Sequence, residues 1–368
     1  MSGDVEVALK GKTVVICAGS GGVGKTTTSA AIAAGLAASG RKVIVLTIDP
    51  ARRLADALGL PEDGNTEHLV DPSRLAAAGL NGDGELWAMT LDAKLTFDEL
   101  IERNAADAET RDAVLRNPIY RQLSGAVAGS QEYMAMEKLY ELHESGRYDL
   151  VVLDTPPTRN ALDFLDAPGR LSRFIDSRSL QFFRASGRAS LGLVGRGAGA
   201  LFSVLKRATG MDLLRDLADF FNAFGDMAEG FRDRARRVEA LLREDRTTFL
   251  LVTSPRSAAI ADADYFHRKL NETGMPFGGV IVNRVREHVR ATAGPKLEHE
   301  LSELVDARLA QKVLRDLEDH NRLAAGDSHS VEQLRAGMGG DLLIVVPELS
   351  GDVHDLDGLA AMAKRLFS

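Results

Sequence analysis

Cysteine is scarce in this 368-residue chain, which contains only Cys17. A lone cysteine excludes a disulfide within the chain, a zinc site of four cysteines, and an iron–sulfur cluster held by the cysteines of one chain. Long apolar runs are also lacking, since none reaches the roughly 18 residues of a membrane-spanning helix. The first residues show no basic segment followed by an apolar one, which is the pattern of a secretion signal. We therefore expect a cytoplasmic protein.

Basic residues are fewer than acidic ones. The chain has 45 lysines and arginines against 53 aspartates and glutamates, so its formal net charge is −8. This acidic balance argues against a protein that coats nucleic acid, and we expect no nucleic acid among its partners. A hydrophobic content of 45% and a charged content of 27% are typical of a folded globular protein rather than a disordered one.

Short apolar runs recur along the chain, and most of them are continuous rather than alternating. Continuous runs are typical of strands that helices cover on both faces, as in parallel sheets. Helical patterns lie between several of the runs, at 25–39, 256–272 and 354–367. The pattern predicts an α/β fold with a doubly wound, mostly parallel sheet. The predicted strands are Val14–Ala18, Val43–Ile48, Leu86–Leu91, Leu150–Leu153, Phe249–Val252, Val280–Val282 and Leu342–Val346.

Two stretches break this alternation, at 94–146 and 166–245. Both show helical periodicity without a convincing strand, which predicts a helical subdomain inserted into one α/β domain that spans 1–368. The segment 61–84 is rich in glycine and predicts a loop-rich connection. The predicted sheet core comprises 1–93, 147–165 and 246–368.

The most informative motif is the glycine-rich stretch 19–26 (GSGGVGKT). It matches G-x-x-x-x-G-K-[ST] between a predicted strand and a predicted helix. Glycines let successive backbone N–H groups curl around phosphate oxygens. Lys25 would bring positive charge to the β- and γ-phosphates, and Thr26 would offer a hydroxyl to Mg²⁺. The motif therefore predicts a P-loop that binds nucleotide, with a simple glycine-rich turn as the alternative. The predicted binding residues of this segment are Gly21, Gly22, Val23, Gly24, Lys25, Thr26 and Thr27.

Two aspartates follow predicted strands. Asp154 ends the run that begins at Leu150 and is a candidate ligand of Mg²⁺; its alternative role is a helix cap or a turn. Asp49 precedes Pro50, which ends the second strand at the sheet edge where open α/β sheets bind ligands. We expect Asp49 to orient a water for attack on the γ-phosphate and to belong to the metal shell. Capping of the following helix is the alternative.

Together these residues resemble the arsenite-pump ATPase family, which also contains the ATPases that target tail-anchored membrane proteins. The family's loop, K-G-G-x-G-K-[ST], corresponds to 20–26 (SGGVGKT). Its first switch, T-D-P-A-x-x-L-x-D-x-[FL], resembles 47–58 (TIDPARRLADAL), and its second switch, D-T-[AP]-P-T, resembles the start of 154–164 (DTPPTRNALDF). These motifs follow the family's order, and the resemblance covers nearly the whole chain.

The resemblance implies an ATPase that uses ATP and Mg²⁺ as a dimer, with the nucleotide near the subunit interface. ATP would close the dimer, hydrolysis would open it, and the helical subdomain would move as the output. Lys25 and Asp49 would be catalytic, and Thr26, Asp154 and Asp49 would serve the metal. The resemblance also implies that Asn283 reads adenine, and that Pro347 and Glu348 contribute a second adenine-side contact.

One departure from the family concerns Ser20, which stands where the family has a lysine that reaches the partner's phosphates. A hydroxyl cannot replace that charge, and losing such a contact costs several kcal/mol of transition-state stabilisation. Open interpretations are a slow homodimer, a heterodimer with a lysine-bearing paralogue, compensation by Arg52 or Arg53, or a nucleotide-gated scaffold without turnover. A positioning or partitioning ATPase is a further alternative, although that class normally keeps the lysine and lacks so large a helical insertion.

Arsenite is not an expected ligand. Metalloid binding needs soft thiolate ligands. Cys17 lies inside the first predicted strand, so we expect it to be a small buried residue instead. The chain also lacks the Cys-x-x-Cys zinc staple found in many targeting-ATPase dimers.

The stretch 177–211 is basic and apolar, with six lysines and arginines and no acidic residue. Interrupted by glycines, it could form a mobile lid over a hydrophobic groove or touch anionic lipid. A helix pair with solvated charges is the alternative. The expected partners are therefore a hydrophobic protein segment or a membrane surface, with peripheral membrane association.

Overall fold

A computed structural model of the protein contains a single sheet of eight strands within the described residues. The strand order is β3-β4-β2-β5-β1-β6-β7-β8, and every neighbouring pair is parallel except β3 with β4. The predicted α/β fold with a mostly parallel sheet is confirmed. The strands are β1 (Val14–Ala18), β2 (Lys42–Thr47), β3 (His68–Leu69), β4 (Glu85–Thr90), β5 (Leu150–Asp154), β6 (Thr247–Thr253), β7 (Phe277–Val285) and β8 (Leu343–Pro347). The structure describes residues 4–48, 53–61, 63–121, 130–156, 167, 169, 211–290, 295–349, 351, 353 and 355–367.

Twelve helices with defined bounds accompany the sheet in the described part of the chain. Aspartate side chains cap the first turn of several of them by accepting a backbone N–H bond, for example Asp92 from Leu95 and Asp306 from Leu309. None of the helices in these ranges is long and apolar enough to cross a membrane. They are α1 (Asp4–Ala8), α2 (Lys25–Ala38), α3 (Arg53–Leu58), α4 (Pro72–Ala77), α5 (Ala93–Asn104), α6 (Ala108–Arg116), α7 (Ser130–Glu144), α8 (Met211–Arg243), α9 (Ser257–Thr273), α10 (Pro295–Leu304), α11 (Ala307–Gly337) and α12 (Leu356–Leu366).

All seven predicted strands form, but the segment 61–84 is more ordered than predicted. It contains β3 and α4. A two-residue strand is too short to show a periodicity, so β3 has no sequence signal of its own. The helix α4 did have one, because Asp71 precedes Pro72 and its side chain accepts the Ser73 N–H at 2.8 Å.

The continuous apolar runs arise because the sheet is covered on both faces. In β1, Val14 and Ile16 face a core shared with α5, α7, α8, α9 and α11. Val15 and Cys17 face a second core, shared with α2, α3 and α12. Every residue of β1 is therefore buried, and no polar position interrupts the run.

The described helices of 94–146 and 211–243 share the first of these cores with the sheet. Phe231 in α8 lies 6.2 Å from Phe97 in α5 and 5.0 Å from Phe224, measured between ring centroids. The same apolar cluster reaches the strand residues Ile44 and Met89. These helices thus pack directly on the sheet, while their action as a separate helical subdomain stays a prediction.

We expect Phe231→Ala to destabilise the protein by about 3–5 kcal/mol, because it removes a fully buried ring from a packed aromatic cluster. Urea unfolding followed by circular dichroism measures the change in the free energy of unfolding. Tyr265→Ala is the control, since Tyr265 is 42% exposed and its loss should cost less than about 1 kcal/mol. Equal effects of the two substitutions would contradict this account of the core.

Candidate functional site

The glycine-rich loop connects β1 to α2 at the carboxyl edge of the sheet. Strand β1 lies between β5 and β6, so the loop emerges where the ends of several parallel strands meet. This is the edge at which open α/β sheets bind their ligands. The position agrees with the context required of a P-loop, which is a strand before the motif and a helix after it.

At two glycines of the loop, a side chain would collide with neighbouring atoms. A Cβ atom at Gly19 would be 2.0 Å from the Val252 carbonyl oxygen, and one at Gly24 would be 2.4 Å from Nδ2 of Asn283. Gly24 is also left-handed, with φ of 92°, and begins α2 without a side-chain cap. The first N–H groups of α2 therefore point into the loop without competition from a capping side chain, an arrangement suited to a phosphate.

Lys25 lies across the loop that precedes it. Its ammonium group donates a hydrogen bond to the Ser20 carbonyl oxygen at 2.9 Å, and the residue is nearly buried. The interaction holds the positive charge over the loop, where the β- and γ-phosphates of a nucleotide bind in P-loop proteins. Ser20 thus contributes its backbone to the site and offers no charge from its side chain.

Asp154 lies at the end of β5, between the ends of its neighbours. Its Oδ2 accepts hydrogen bonds from the Thr26 hydroxyl at 2.7 Å and from the Thr47 hydroxyl at 2.8 Å. The carboxylate is 1% exposed, so these donors offset part of the cost of burying its charge. A carboxylate and a hydroxyl are hard oxygen ligands that fit Mg²⁺, which takes one or two protein oxygens together with phosphates and water.

Sequence reasoning did not assign a role to Thr47. It ends β2 directly opposite Asp154 in the parallel register, and both residues are fully covered. The sequence signal for Thr47 was that it is the first residue of the segment that resembles the family's first switch. Contact with Asp154 depends on the pairing of β2 with β5, which joins residues more than 100 positions apart.

Asp49, the predicted catalytic aspartate, lies outside the described residues, as do Pro50 and Arg52. The backbone of Arg53 begins α3, and its side chain is not part of the description. The roles expected for these residues stay predictions. The same holds for 157–164 of the second switch and for the basic stretch up to residue 210.

A cavity of about 730 Å³ opens beside the loop, within the size range of small-molecule sites. It brings together two groups that are far apart in the sequence, the glycine-rich loop and the end of the sheet at β7 and β8. The predicted site residues Val23 and Asp154 are not among the described residues that line it. The predicted residues that line the cavity are Gly21, Gly22, Gly24, Lys25, Thr26, Thr27, Asn283, Pro347 and Glu348. Lining residues that had no predicted role include Leu54, Asp56, Arg284, Leu359 and Met362.

Asn283 joins β7 to the glycine-rich loop. Its Nδ2 donates to the Val23 carbonyl oxygen at 2.9 Å, and its Oδ1 accepts the Arg284 N–H at 3.0 Å. A carboxamide has two N–H donors and two acceptor lone pairs, so this geometry leaves one of each for a ligand such as a purine base. The Val23 carbonyl oxygen therefore helps to orient Asn283, while the nucleotide contact expected of Val23 stays a prediction.

A partly buried ion pair supports the Glu348 side of the cavity. Asp327 in α11 accepts the Arg286 N–H at 3.0 Å and lies 3.2 Å from the Arg286 guanidinium. The same guanidinium is 3.6 Å from the Glu348 carboxylate, and the Glu348 N–H donates to the Val285 carbonyl oxygen at 2.9 Å. This network was not predicted from the sequence. Its only sequence signal is Asp327, an acidic residue among the buried residues of α11.

Cys17 is completely buried in β1, as predicted for a structural residue. Burial, with the Asp154 carboxylate nearby, raises the pKa of its thiol to about 12. The sulfur is therefore a neutral thiol at physiological pH, and a neutral thiol is a poor ligand for a soft metal or metalloid.

Residues 12–303 match the family model described as anion-transporting ATPase. A similar protein is "ATPase GET3" of Malassezia globosa, 27% identical over 304 residues that cover 79% of this chain and 81% of that one. The "ATPase ASNA1 homolog" of Babesia bovis is 26% identical over 373 aligned positions, with 99% of this chain and 94% of the relative covered. "ATPase ARSA2" of Chlamydomonas reinhardtii is 27% identical over 274 residues, with coverages of 74% and 67%. The similarity therefore extends well beyond the glycine-rich loop.

We expect the native protein to resist thiol reagents at about pH 8, because a thiol with a pKa near 12 is almost entirely protonated there and is shielded from solvent. Titration with a chromogenic disulfide should detect no thiol in the native chain and one thiol per chain after unfolding in guanidinium chloride. Rapid reaction of the native protein would show that Cys17 is accessible and would contradict its placement in the core.

Proposed function

Because the chain belongs to the anion-transporting ATPase family and is an ATP hydrolase, we propose that it is a Mg²⁺-dependent ATPase that works as a dimer of the arsenite-pump or tail-anchored-targeting type. The predicted family and ATPase activity are confirmed by the family match and by relatives named as ATPases. The observation that carries the proposal of Mg²⁺ dependence is the 2.7 Å hydrogen bond between Thr26 and Asp154, beside the loop that holds Lys25.

In the proposed mechanism, the backbone N–H groups of the loop and Lys25 hold the phosphates. Thr26 and Asp154 would hold Mg²⁺, which supplies positive charge to the β- and γ-phosphates when bound. Thr47 fixes the orientation of Asp154 through its hydroxyl. Asp49 would orient the attacking water and accept its hydrogen bond.

Adenine recognition is assigned to the far side of the cavity. The carboxamide of Asn283 faces the loop and keeps hydrogen-bonding capacity for the base, and Pro347 and Glu348 border the same space. The Arg286–Asp327 ion pair supports this wall from behind. These contacts make the β7–β8 end of the sheet the proposed site of base selection.

Dimerisation would bring two such sites together, with closure on ATP binding and opening on hydrolysis. Ser20 in place of the family's lysine favours two versions of this assembly: a slow homodimer, or a heterodimer in which a paralogue contributes the lysine. The second version is a separate candidate function, since the chain alone would then bind ATP as a nucleotide-gated subunit. We propose that either assembly acts in the cytoplasm, with peripheral contact to a membrane.

The proposed cargo is a hydrophobic protein segment, handled by movement of the helical subdomain. Support comes from the family's targeting branch and from the composition of 177–211, which is basic and apolar without acidic residues. Arsenite is not proposed, because Cys17 is buried and protonated. Nucleic acid is not proposed, because the chain is acidic overall.

The decisive measurement is steady-state phosphate release by the purified full chain with Mg²⁺-ATP. We expect Lys25→Ala to lower turnover by at least about a hundredfold, as removal of one charge-stabilising donor does in other enzymes. Chelation of Mg²⁺ should lower it comparably. Lys364→Ala is the matched control, because Lys364 is an exposed lysine on α12 and its loss should leave the rate unchanged.

The dependence of this rate on protein concentration separates the assemblies. A specific activity that rises with concentration would support a homodimer that supplies a complete site. Nucleotide binding without turnover at any concentration would instead point to the gated subunit that needs a lysine-bearing partner. Turnover unaffected by Lys25→Ala would contradict the proposed site.

Cargo handling can be tested with a fluorescent dye that binds exposed apolar surface. We expect dye binding by the full chain to differ between Mg²⁺-ATP and Mg²⁺-ADP, because the helical subdomain would move between the two states. A chain without 177–211 should lose that difference while it retains nucleotide binding. Identical dye binding in every nucleotide state would count against a hydrophobic cargo.

A further inference from the structure

Strand β7 contains a bulge at the edge of the nucleotide cavity. Val282 pairs with Val345 of β8, but the next pair joins Val285 to Pro347, so β7 carries one residue more than its partner over this interval. Arg284 lies within the interval and is left-handed, with φ of 62°. Bulges of this kind often occur next to functional sites, where they redirect a side chain.

The bulge directs Asn283 toward the glycine-rich loop. The Arg284 N–H donates to Oδ1 of Asn283 at 3.0 Å, which orients the carboxamide so that Nδ2 reaches the Val23 carbonyl oxygen at 2.9 Å. The left-handed backbone at position 284 therefore has a role of its own. That role does not require an arginine side chain.

Arginine is a costly residue in this conformation. For a residue with a Cβ, the left-handed region costs roughly 1–2 kcal/mol, whereas glycine and, to a lesser degree, asparagine adopt it readily. Among the described residues, Asn65 is the one other non-glycine residue with positive φ, and asparagine is suited to it. Asparagine would adopt the left-handed backbone at position 284 with less strain, so the presence of an arginine side chain there needs a separate explanation.

Arg284 borders the cavity that we assign to the nucleotide. Arg284 is exposed and lines the cavity together with Lys25, and these are the two cationic residues among the described lining residues. Its neighbour Arg286 is held by Asp327, whereas no ion pair within the described ranges engages the Arg284 guanidinium.

We propose that Arg284 is a nucleotide-binding residue whose guanidinium contacts the phosphate oxygens of bound ATP, in addition to Lys25. This inference rests on the proposed function, because it requires a nucleotide in the cavity. Guanidinium groups suit the role, since they form charge-assisted hydrogen bonds to phosphate and stay protonated. The bulge would then serve two purposes, orienting Asn283 through its backbone and presenting a cation through its side chain.

The test compares Arg284→Asn with Arg284→Lys in the full chain. Asparagine tolerates the left-handed backbone but carries no charge, whereas lysine keeps the charge and shares the strain of arginine. We expect Arg284→Asn to weaken Mg²⁺-ADP binding about tenfold at low salt, as measured by calorimetry, without loss of thermal stability. Arg284→Lys should retain most of the affinity. The difference between wild type and Arg284→Asn should shrink at high salt, which is the signature of a charge contact.

Several outcomes would overturn the inference. Unchanged affinity in Arg284→Asn would show that the arginine is merely tolerated at the bulge. An equal loss in both variants, or a loss insensitive to salt, would show a structural effect or a contact with the base instead of the phosphates. Lys25→Ala separates this result from the proposed function: if wild type binds nucleotide through Lys25 while Arg284→Asn is unaffected, only the inference fails.

Discussion

The carboxylate of Asp154 is the interaction on which the arrangement of the site depends. It is almost fully buried, and its charge is compatible with that burial because the Thr26 and Thr47 hydroxyls donate to it. These donors come from the start of α2 and the end of β2, while Asp154 ends β5. The buried charge thus holds the start of α2 and the end of β2 next to the end of β5. Their positions determine where the glycine-rich loop opens.

A second link connects the loop to the other half of the sheet. Asn283 donates to Val23, and Gly24 lies so close to that carboxamide that a Cβ would collide with it. The loop is therefore held between the Asp154 carboxylate and the Asn283 carboxamide. Beyond the carboxamide, the Arg286–Asp327 ion pair transmits the position of the long helix α11 to the cavity wall. Movement of that helix would consequently alter the space that we assign to the base.

Charge distribution distinguishes this site from that of the family it belongs to. The resemblance implies a lysine at the first loop position, and the chain has Ser20 there. The described wall of the cavity contains Lys25 and Arg284 as its cations and Asp56 and Glu348 as its acids. Two cations and two acids leave the described lining without net positive charge for a polyphosphate. Because the family's lysine reaches the partner's phosphates, a chain with Ser20 would offer its partner no such charge, and a lysine-bearing partner or residues of the first switch would have to supply it.

The amino-acid sequence alone determined the sheet, the glycine-rich loop and the family, because each depends on residues adjacent in the chain: buried runs on both faces of a strand, and glycines spaced around a lysine and a threonine. It also made Asp154 a candidate because that residue ends a buried run, and the family resemblance made Asn283 one. The contacts of Thr47 with Asp154 and of Arg286 with Asp327 could not be read in this way, since strand order and helix packing join positions far apart. The left-handed backbone of Arg284 was equally invisible, because arginine carries no preference for it. Only the tertiary structure decided these features, since each follows from the register between β7 and β8 or from packing across the sheet.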